Sequence, residues 1–272
     1  MASVTRAEIV VWPRLMQRPQ HLLAACRRGL RRAGVVATET ARPAPGAALS
    51  VTWGLGHPEG QALIARRRAH GGHVIGFDLG YWQRGNHFRV TIDHDHPQAL
   101  VMRRPMPATR WERSGIKLRH DGDPAGHVLL IGTGHKTAAT YNECVGAWEC
   151  LTAARLVREH AGRRLVFRPK PGGKNDCVPP GFTLDTSPTI EAALSGCSLV
   201  VCRNSNVAVD AIIAGVPFHC EDGAAMAVRD MQPMPDALRL HFLAQLAWWQ
   251  WTVDELERAE TWDAILSNME TR

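Results

Sequence analysis

The chain has 272 residues, of which 45% are hydrophobic and 21% are charged, and its formal net charge is +6 at neutral pH. These values are ordinary for a soluble globular protein with room for one large domain or two small ones. No apolar run approaches the ~20 residues that a membrane-spanning helix needs, and the first residues lack the apolar region of a signal peptide. The sequence therefore predicts a cytoplasmic protein that does not enter a membrane.

The seven cysteines predict neither a zinc site nor a disulfide framework, because they are odd in number, scattered, and without a Cys-x-x-Cys pair. We expect them to be reduced. They are Cys26, Cys144, Cys150, Cys177, Cys197, Cys202 and Cys220.

Charge is distributed unevenly along the sequence. Residues 1–120 contain 19 Arg and Lys against 7 Asp and Glu, a net charge of +12, whereas residues 121–272 contain 13 against 19, a net charge of −6. This asymmetry indicates a polyanionic partner for the first half of the chain. The alternative is an arginine-rich surface that serves solubility alone.

Short apolar runs alternate with amphipathic stretches, which is typical of parallel α/β architecture. In the first half we expect helices at 19–33 and 59–70. Strands are predicted at 8–12, 35–40, 49–54, 73–77 and 87–92.

A Pro- and charge-rich stretch precedes a second α/β series. In that series we expect helices at 140–160, 189–196 and 206–215, strands at 127–132, 165–170, 198–203 and 216–220, and helix through 238–267. The predicted organisation is a Rossmann-like domain at 1–105, a linker at 106–126, a second Rossmann-like domain at 127–245 and a helical tail at 246–272. Two such domains predict a cleft that faces the carboxyl ends of both sheets, where ligands bind.

Two motifs of the second half favour phosphate binding. The loop IGTGHKT (131–137) follows a strand and places Gly132, Thr133 and Gly134 where backbone N–H groups can approach phosphate oxygens. In FRPKPGGK (167–174), Arg168 and Lys170 lie on one side of a strand end and suit a diphosphate. A tight turn and a solvated strand end are the alternatives.

The segment CRNSNVAVDAIIAGVPFHCEDGAA (202–225) is more specific. Asn204, Ser205 and Asn206 lie where a strand becomes a helix, with Ser205 the predicted N-cap. Glu221 and Asp222 follow the next strand and could accept hydrogen bonds from ribose hydroxyls.

As an ordered set, these features resemble the donor-binding half of GT-B glycosyltransferases, with the resemblance best over 127–225. Residues 78–97 and 250–262 also resemble segments of small bacteriophage-type glycosyltransferases that modify DNA. The resemblance implies a nucleotide-sugar co-substrate, a UDP-sugar above all, and no permanently bound cofactor. Retaining GT-B enzymes usually carry two glutamates near the donor loop, but only Glu221 is evident here, so the resemblance does not fix the stereochemical outcome.

Glycosyl transfer needs a base for the acceptor hydroxyl. The resemblance places an acidic residue before Gly-Tyr at the cleft, a position taken here by Asp78, which also follows the strand at 73–77. Asp78 is the expected base and His57 the alternative. The residues expected to bind the acceptor by stacking or through its phosphates are Tyr81, Trp82, Arg84, Arg89, Arg103 and Arg104.

The run Asp93-His94-Asp95-His96 superficially resembles a metal-binding cluster. Consecutive strand residues point to opposite faces, and GT-B enzymes generally work without a bound metal, so no metal is expected.

The sequence thus predicts a hexosyltransferase that glycosylates a hydroxymethylated pyrimidine, such as 5-hydroxymethylcytosine, in double-stranded DNA. One alternative is a glycosyltransferase or nucleotide-sugar epimerase of cell-surface polysaccharide synthesis, for which the arginines are incidental. Another is a catalytically inactive binding module with the same fold.

Overall fold

The computed structural model describes residues 4–13, 17–172 and 177–269. Gly173 and Lys174, the last residues of the FRPKPGGK motif, lie outside this set. The chain divides into two compact units. Unit 1 combines the residues up to Leu100 with those from Trp249 onward, and unit 2 consists of Val101–Trp248.

Strands and helices alternate along most of the chain, and we number them in order. Up to the start of unit 2 they are β1 (Arg6–Val10), α1 (Gln17–Arg32), β2 (Val36–Thr40), β3 (Leu49–Trp53), α2 (Pro58–Ala69), β4 (His73–Leu79), β5 (His87–Ile92) and α3 (Gln98–Val101).

The elements of unit 2 follow the same alternation. They are α4 (Thr109–Arg113), β6 (His127–Ile131), α5 (His135–Thr140), α6 (Ala147–Glu159), β7 (Leu165–Arg168), β8 (Thr183–Leu184), α7 (Ile190–Leu194), β9 (Cys197–Cys202), α8 (Val207–Ala214), β10 (Phe218–Cys220), a 3₁₀ helix (Ala224–Met231) and α9 (Asp236–Leu246). After a 3₁₀ turn (Ala247–Trp249) come β11 (Gln250–Thr252), α10 (Val253–Leu256) and α11 (Ala259–Leu266).

Each unit has its own sheet. The sheet of unit 1 has the strand order β11-β5-β4-β3-β1-β2. The four strands from β4 to β2 are parallel, whereas β5 and β11 are each antiparallel to their neighbours. The sheet of unit 2 is parallel throughout, in the order β10-β9-β6-β7-β8. The predicted α/β class is confirmed, as is the parallel arrangement for the whole sheet of unit 2 and for four strands of unit 1.

The strands of both series are found within one or two residues of their predicted bounds. Two regions differ. The helix expected at 140–160 is two helices, α5 and α6, separated by turns at 141–146. The stretch 106–126, predicted as a linker, packs within unit 2: it contains α4, and the backbone N–H of Arg119 donates to the carbonyl of Ile213 at 2.8 Å.

The segment from 249 onward packs on the first sheet and is not helical throughout. Its strand β11 pairs with β5, and the ring of Trp262 lies edge-on to Phe77 with centroids 6.3 Å apart. The indole N–H of Trp262 donates to the carbonyl of Leu256 at 2.8 Å. The Trp262 indole and the Leu256 carbonyl both lie against Gly29 of α1, where any side chain would collide with them. The residue type at position 29 is therefore dictated by the docking of this segment.

A fully buried arginine ties α2 to the sheet of unit 1. Arg67 Nη2 lies 2.6 Å from the Glu8 carboxylate, and Nε donates to the Ser50 hydroxyl at 2.8 Å. Its Nη1 donates to the carbonyls of Ala44 and Pro45. Burial lowers the pKa of Arg67, opposed by the attraction of Glu8. The guanidinium is tolerated inside because its donors have found acceptors.

Arg67→Met should lower the free energy of unfolding by about 3–5 kcal/mol, because it leaves Glu8 and two loop carbonyls without their partner. Urea unfolding followed by circular dichroism measures the loss. Arg68→Met is the matched control, since Arg68 is the next residue of the same helix and is exposed; it should change stability by less than about 0.5 kcal/mol. Equal effects of the two substitutions would contradict this account.

Candidate functional site

Asp78 lies at the carboxyl end of β4, as predicted, and its side chain is 42% exposed. One carboxylate oxygen, Oδ2, is 3.2 Å from Nη2 of Arg89, the residue directly opposite on β5. The other, Oδ1, accepts the backbone N–H of Leu79 at 2.7 Å. Asp78 is therefore oriented by two donors yet remains open to solvent, as a base acting on a bound hydroxyl must be.

Arg89 is shared between several acceptors. The same Nη2 that contacts Asp78 lies 3.4 Å from Asp95 Oδ1, and Nη1 lies 2.7 Å from Nδ1 of the buried His96. Asp95 and His96 were not predicted to belong with Asp78, since they follow β5 and are 17 and 18 residues away in sequence. Arg89 itself is buried and engaged by these groups, so the structure does not support its predicted contact with acceptor phosphates.

A residue from the far end of the chain completes this corner of unit 1. Gln250 of β11 is paired with Arg89, which is in turn paired with Asp78. The buried Oε1 of Gln250 accepts the backbone N–H of Tyr81 at 2.8 Å. The position of the loop that follows Asp78 is thus set by the C-terminal segment.

His57 begins α2 and lies close to the same strand ends. Its Nδ1 accepts the backbone N–H of Gly60 at 3.1 Å, which makes it the N-cap of that helix. Its ring packs over Gly54 and edge-on against Trp12, with centroids 5.7 Å apart. Gly54 has a φ of +71°, and a β-carbon there would come within 3.3 Å of the His57 ring. Sequence reasoning found this residue but not its role as a helix cap.

The remaining predicted acceptor residues are divided between the two units. Tyr81 and Trp82 are buried, so the structure gives no support to the predicted stacking of either ring on a ligand. Burial also raises the pKa of the Tyr81 hydroxyl. Arg84 accepts at its carbonyl from the Arg18 guanidinium at 3.0 Å. Arg103 and Arg104 are exposed and belong to unit 2.

In unit 2 the predicted donor residues converge on the carboxyl ends of neighbouring parallel strands. Gly132, Thr133 and Gly134 connect β6 to α5. The Lys170 side chain, just beyond β7, lies over Gly134, where a β-carbon would come within 3.1 Å of it. The backbone N–H and the side-chain hydroxyl of Thr133 both donate to Oε1 of the buried Glu149, at 2.7 and 2.8 Å. Glu149 thus fixes the loop 132–134 through Thr133, and the exposed Lys170 lies beside this loop.

Arg168 lies at the end of β7, as predicted, but it is engaged by groups of the protein itself. Its Nη1 is ion-paired with Asp185 and donates to the Ser187 carbonyl at 3.1 Å. This pair joins the end of β7 to the segment after β8, so Arg168 supports the edge of the sheet. The missed signal was Asp185, which follows β8 and offers the arginine a carboxylate within the protein.

Arg203, which sequence reasoning did not select, lies at the centre of a charged cluster after β9. It is bidentate to Glu143, with Nη2 at 2.8 Å, and its Nε is 3.4 Å from Glu221. Its guanidinium stacks on the Tyr141 ring at 3.7 Å. The hydrogen bond from Arg203 lowers the pKa of Glu143, and the same bond raises the pKa of Arg203.

Both acidic residues predicted to bind ribose are already used as acceptors. Glu221 accepts the indole N–H of Trp148 at 2.7 Å, and Asp222 accepts the hydroxyl of Tyr141 at 2.7 Å. The predicted cap of α8 shifts by one residue: Asn206 is the N-cap, while Ser205 Oγ accepts the N–H of Val207 at 3.2 Å. Asn204 precedes them, beside Gly223.

None of the described helices is long and apolar enough to cross a membrane. Among residues 4–13, 17–172 and 177–269, no three His, Cys, Asp or Glu side chains lie together so as to hold a metal ion. Within the run 93–96, Asp93 instead binds the His73 ring and the N–H of Val74, at 2.7 and 2.8 Å.

The chain thus has one mixed and one parallel α/β sheet, and its fold is similar to that of two solved sugar transferases. The chain is similar to the beta Kdo 2,4 transferase of Thermosulfurimonas dismutans KpsC, with a TM-score of 0.56 and 10% identity over 94% of this chain and 98% of that one. It is also similar to the beta Kdo 2,7 transferase of the same KpsC, with a TM-score of 0.51 and 13% identity at the same coverage. At these identities the likeness shows the fold alone. No protein-family model matches the chain, and no curated protein matches its sequence.

Glu143→Gln should destabilise unit 2 at neutral pH by up to about 1 kcal/mol, a modest value because the pair with Arg203 is partly exposed. The pKa of Glu143 is lowered in the fold, so the contribution of its carboxylate is present above the unfolded value of about 4.3 and is lost as the pH falls through the folded-state pKa. Thermal unfolding of parent and variant from pH 7 to pH 3 measures this. A stability difference that does not shrink on acidification would contradict it.

Proposed function

We propose that the protein is a glycosyltransferase that moves a sugar from a nucleotide-sugar donor to a saccharide acceptor during synthesis of a cell-surface polysaccharide. The observation that carries the proposal is the likeness of the fold, over 94% of the chain, to two sugar transferases. Within the proposal, donor binding is assigned to residues of unit 2 and acceptor binding to residues of unit 1, and no cofactor is bound permanently.

The donor site is assigned to the carboxyl ends of β6, β7 and β9. The ammonium group of Lys170 beside the loop 132–134 supplies a charge for the phosphate oxygens, and the start of α8 at Asn206 supplies backbone N–H groups. Arg168 is left out of this site because Asp185 neutralises it. Glu221 and Asp222 contribute indirectly, because their hydrogen bonds fix the side chains of Trp148 and Tyr141.

Asp78 is assigned as the base. In the transfer, the acceptor oxygen forms a bond to the anomeric carbon of the donor sugar while the bond from that carbon to the phosphate oxygen breaks. The acceptor proton passes to the Asp78 carboxylate, and the electron pair of the broken bond leaves with the nucleotide. Lys170 and the N–H groups near it stabilise the charge that develops on the leaving phosphate.

A DNA acceptor is not part of the proposal, because its main argument disappears when charge is counted by folded unit. Unit 1 contains 15 Arg and Lys against 12 Asp and Glu, and unit 2 contains 17 against 14, so each carries a net charge of +3. Arginines of α1 are paired with acidic groups of unit 1 itself: Arg27 lies 2.9 Å from Glu39, and Arg28 lies 2.6 Å from Glu257.

A transfer assay tests the proposed function. The protein is incubated with a panel of nucleotide sugars, UDP-sugars among them, together with saccharide acceptors or with DNA containing 5-hydroxymethylcytosine, and products are weighed by mass spectrometry. We expect a sugar to be added to a saccharide and none to DNA. Modification of the DNA alone would overturn the choice of acceptor.

Asp78→Asn should keep donor binding but reduce turnover by about 100-fold or more, because the amide cannot take up the acceptor proton. Calorimetry with the donor and initial rates with the acceptor separate the two effects. Asp254→Asn is the control, since Asp254 is an exposed carboxylate of α10 in the same unit, and it should leave both quantities unchanged. Near-normal turnover of Asp78→Asn would place the base elsewhere.

Lys170→Met should weaken donor binding by about 1–3 kcal/mol, the range for a hydrogen bond to a charged group. Lys117→Met, which removes an exposed lysine of the same unit, should leave donor affinity unchanged. Calorimetric titration of both variants with the donor identified by the transfer assay provides the measurement. Equal affinities of Lys170→Met and the parent would remove Lys170 from the donor site.

A further inference from the structure

The loop 54–60, of sequence GLGHPEG, is built around the His57 ring at the end of β3. The ring lies over Gly54 and against Trp12, and its Nδ1 is fixed by the N–H of Gly60. A β-carbon on Gly56 would come within 2.6 Å of the Asp95 carboxylate. Through Asp95 and Arg89 the loop is connected to Asp78. The histidine is thus held in one orientation, at the same corner of unit 1 as the assigned base.

The helix cap determines which nitrogen of His57 carries the proton. A backbone N–H can only donate, so Nδ1 must be the acceptor in its bond with Gly60, and the proton of the neutral ring is on Nε2. The 3.0 Å contact of Nδ1 with Glu59 would need a proton on Nδ1 and competes with the cap. Glu59 is largely exposed, whereas the Gly60 N–H has a fixed direction, so the hydrogen bond of the helix cap determines the tautomer of His57. His57 therefore offers its Nε2–H as a hydrogen-bond donor.

His57, in the loop that follows β3, and Asp78, on the adjacent strand β4, present complementary groups. The backbone N–H of Gly54 donates to the carbonyl of Phe77 at 2.8 Å, so the residue beneath the His57 ring lies next to Asp78, one strand spacing of about 4.8 Å away. A carboxylate accepts a hydrogen bond, and Nε2–H donates one. Two adjacent hydroxyl groups on a sugar ring match this arrangement, since one can donate while the oxygen of the other accepts.

We propose that His57 and Asp78 form an acceptor subsite that recognises two neighbouring hydroxyl groups of a saccharide. Asp78 accepts from the hydroxyl that is glycosylated, and His57 donates to the oxygen of the hydroxyl beside it. This inference rests on the proposed function and makes it more specific, because it selects saccharides with neighbouring hydroxyls over acceptors with a single hydroxymethyl group.

Substitutions at position 57 separate this role from the helix cap. Ser and Asn both cap helices well, but Ser has no donor in the place of Nε2. Both variants keep a helix cap and lose the ring that packs against Trp12, so His57→Ser and His57→Asn should melt at nearly the same temperature as each other. His57→Ser should raise the KM for the acceptor about three- to tenfold, as expected for one neutral hydrogen bond, without changing the KM for the donor. Glu59→Gln is the control and should leave both KM values unchanged.

Modified acceptors give the decisive comparison. Methyl glycosides that the parent enzyme glycosylates are compared with their monodeoxy analogues, which lack the neighbouring hydroxyl. The analogue should reduce kcat/KM of the parent by the same three- to tenfold factor but have no further effect on His57→Ser, because that variant has already lost the contact.

The possible failures are distinct. Transfer to saccharides with equal kcat/KM for parent and His57→Ser would overturn the subsite and leave the transferase assignment in place. If the deoxy analogue and His57→Ser reduce kcat/KM by independent factors that multiply, the subsite is likewise overturned and the transferase assignment again stays in place. If the parent transfers no sugar to any saccharide, the proposed function is wrong and the subsite is wrong with it.

Discussion

The register of three neighbouring strands, β11, β5 and β4, holds Asp78, the residue that we propose as the base, in place. Gln250, Arg89 and Asp78 lie opposite one another across these strands. Arg89 contacts the Asp78 carboxylate, and Gln250 fixes the loop that follows it through the N–H of Tyr81. Because side chains alternate between the faces of a sheet, a one-residue shift of the β4–β5 pairing would turn Arg89 away from Asp78, and a one-residue shift of the β11–β5 pairing would turn Gln250 to the other face.

Much of the fold was predictable because its strands are short apolar runs whose ends are marked by glycine, proline or charge. The parallel strands β6, β7 and β9 are buried on both faces, and such strands read clearly as continuous apolar segments. Strand β11 was not predicted. It has three residues, Gln-Trp-Thr, inside a stretch with a helical composition, and its conformation is set by pairing with β5, some 160 residues earlier.

The candidate site was predicted in part, for equally physical reasons. Asp78, Lys170 and the loop 132–134 follow strands, and strand ends can be located from sequence. Whether an arginine is available to a ligand depends on its partners, which sequence does not reveal: Arg168 is paired with Asp185, and Arg89 with Asp78 and Asp95. The net charge of the first half of the sequence suggested a polyanionic partner for the same reason. Glu257 pairs with Arg28 and belongs to the same folded unit, but it lies far along the chain.

Unit 1 is assembled from two separated parts of the chain, and this affects how the protein is made. The 148 residues of unit 2 are synthesised after β5 and before β11. At about 5–20 residues per second, the outer edge of β5 waits roughly 7–30 s for its partner strand. An unpaired strand edge is a template on which another chain can add. The nascent chain, with HFRVTI exposed at that edge, is therefore more prone to aggregate on the ribosome than the finished protein is in solution, and it is the stage at which a chaperone would be most useful.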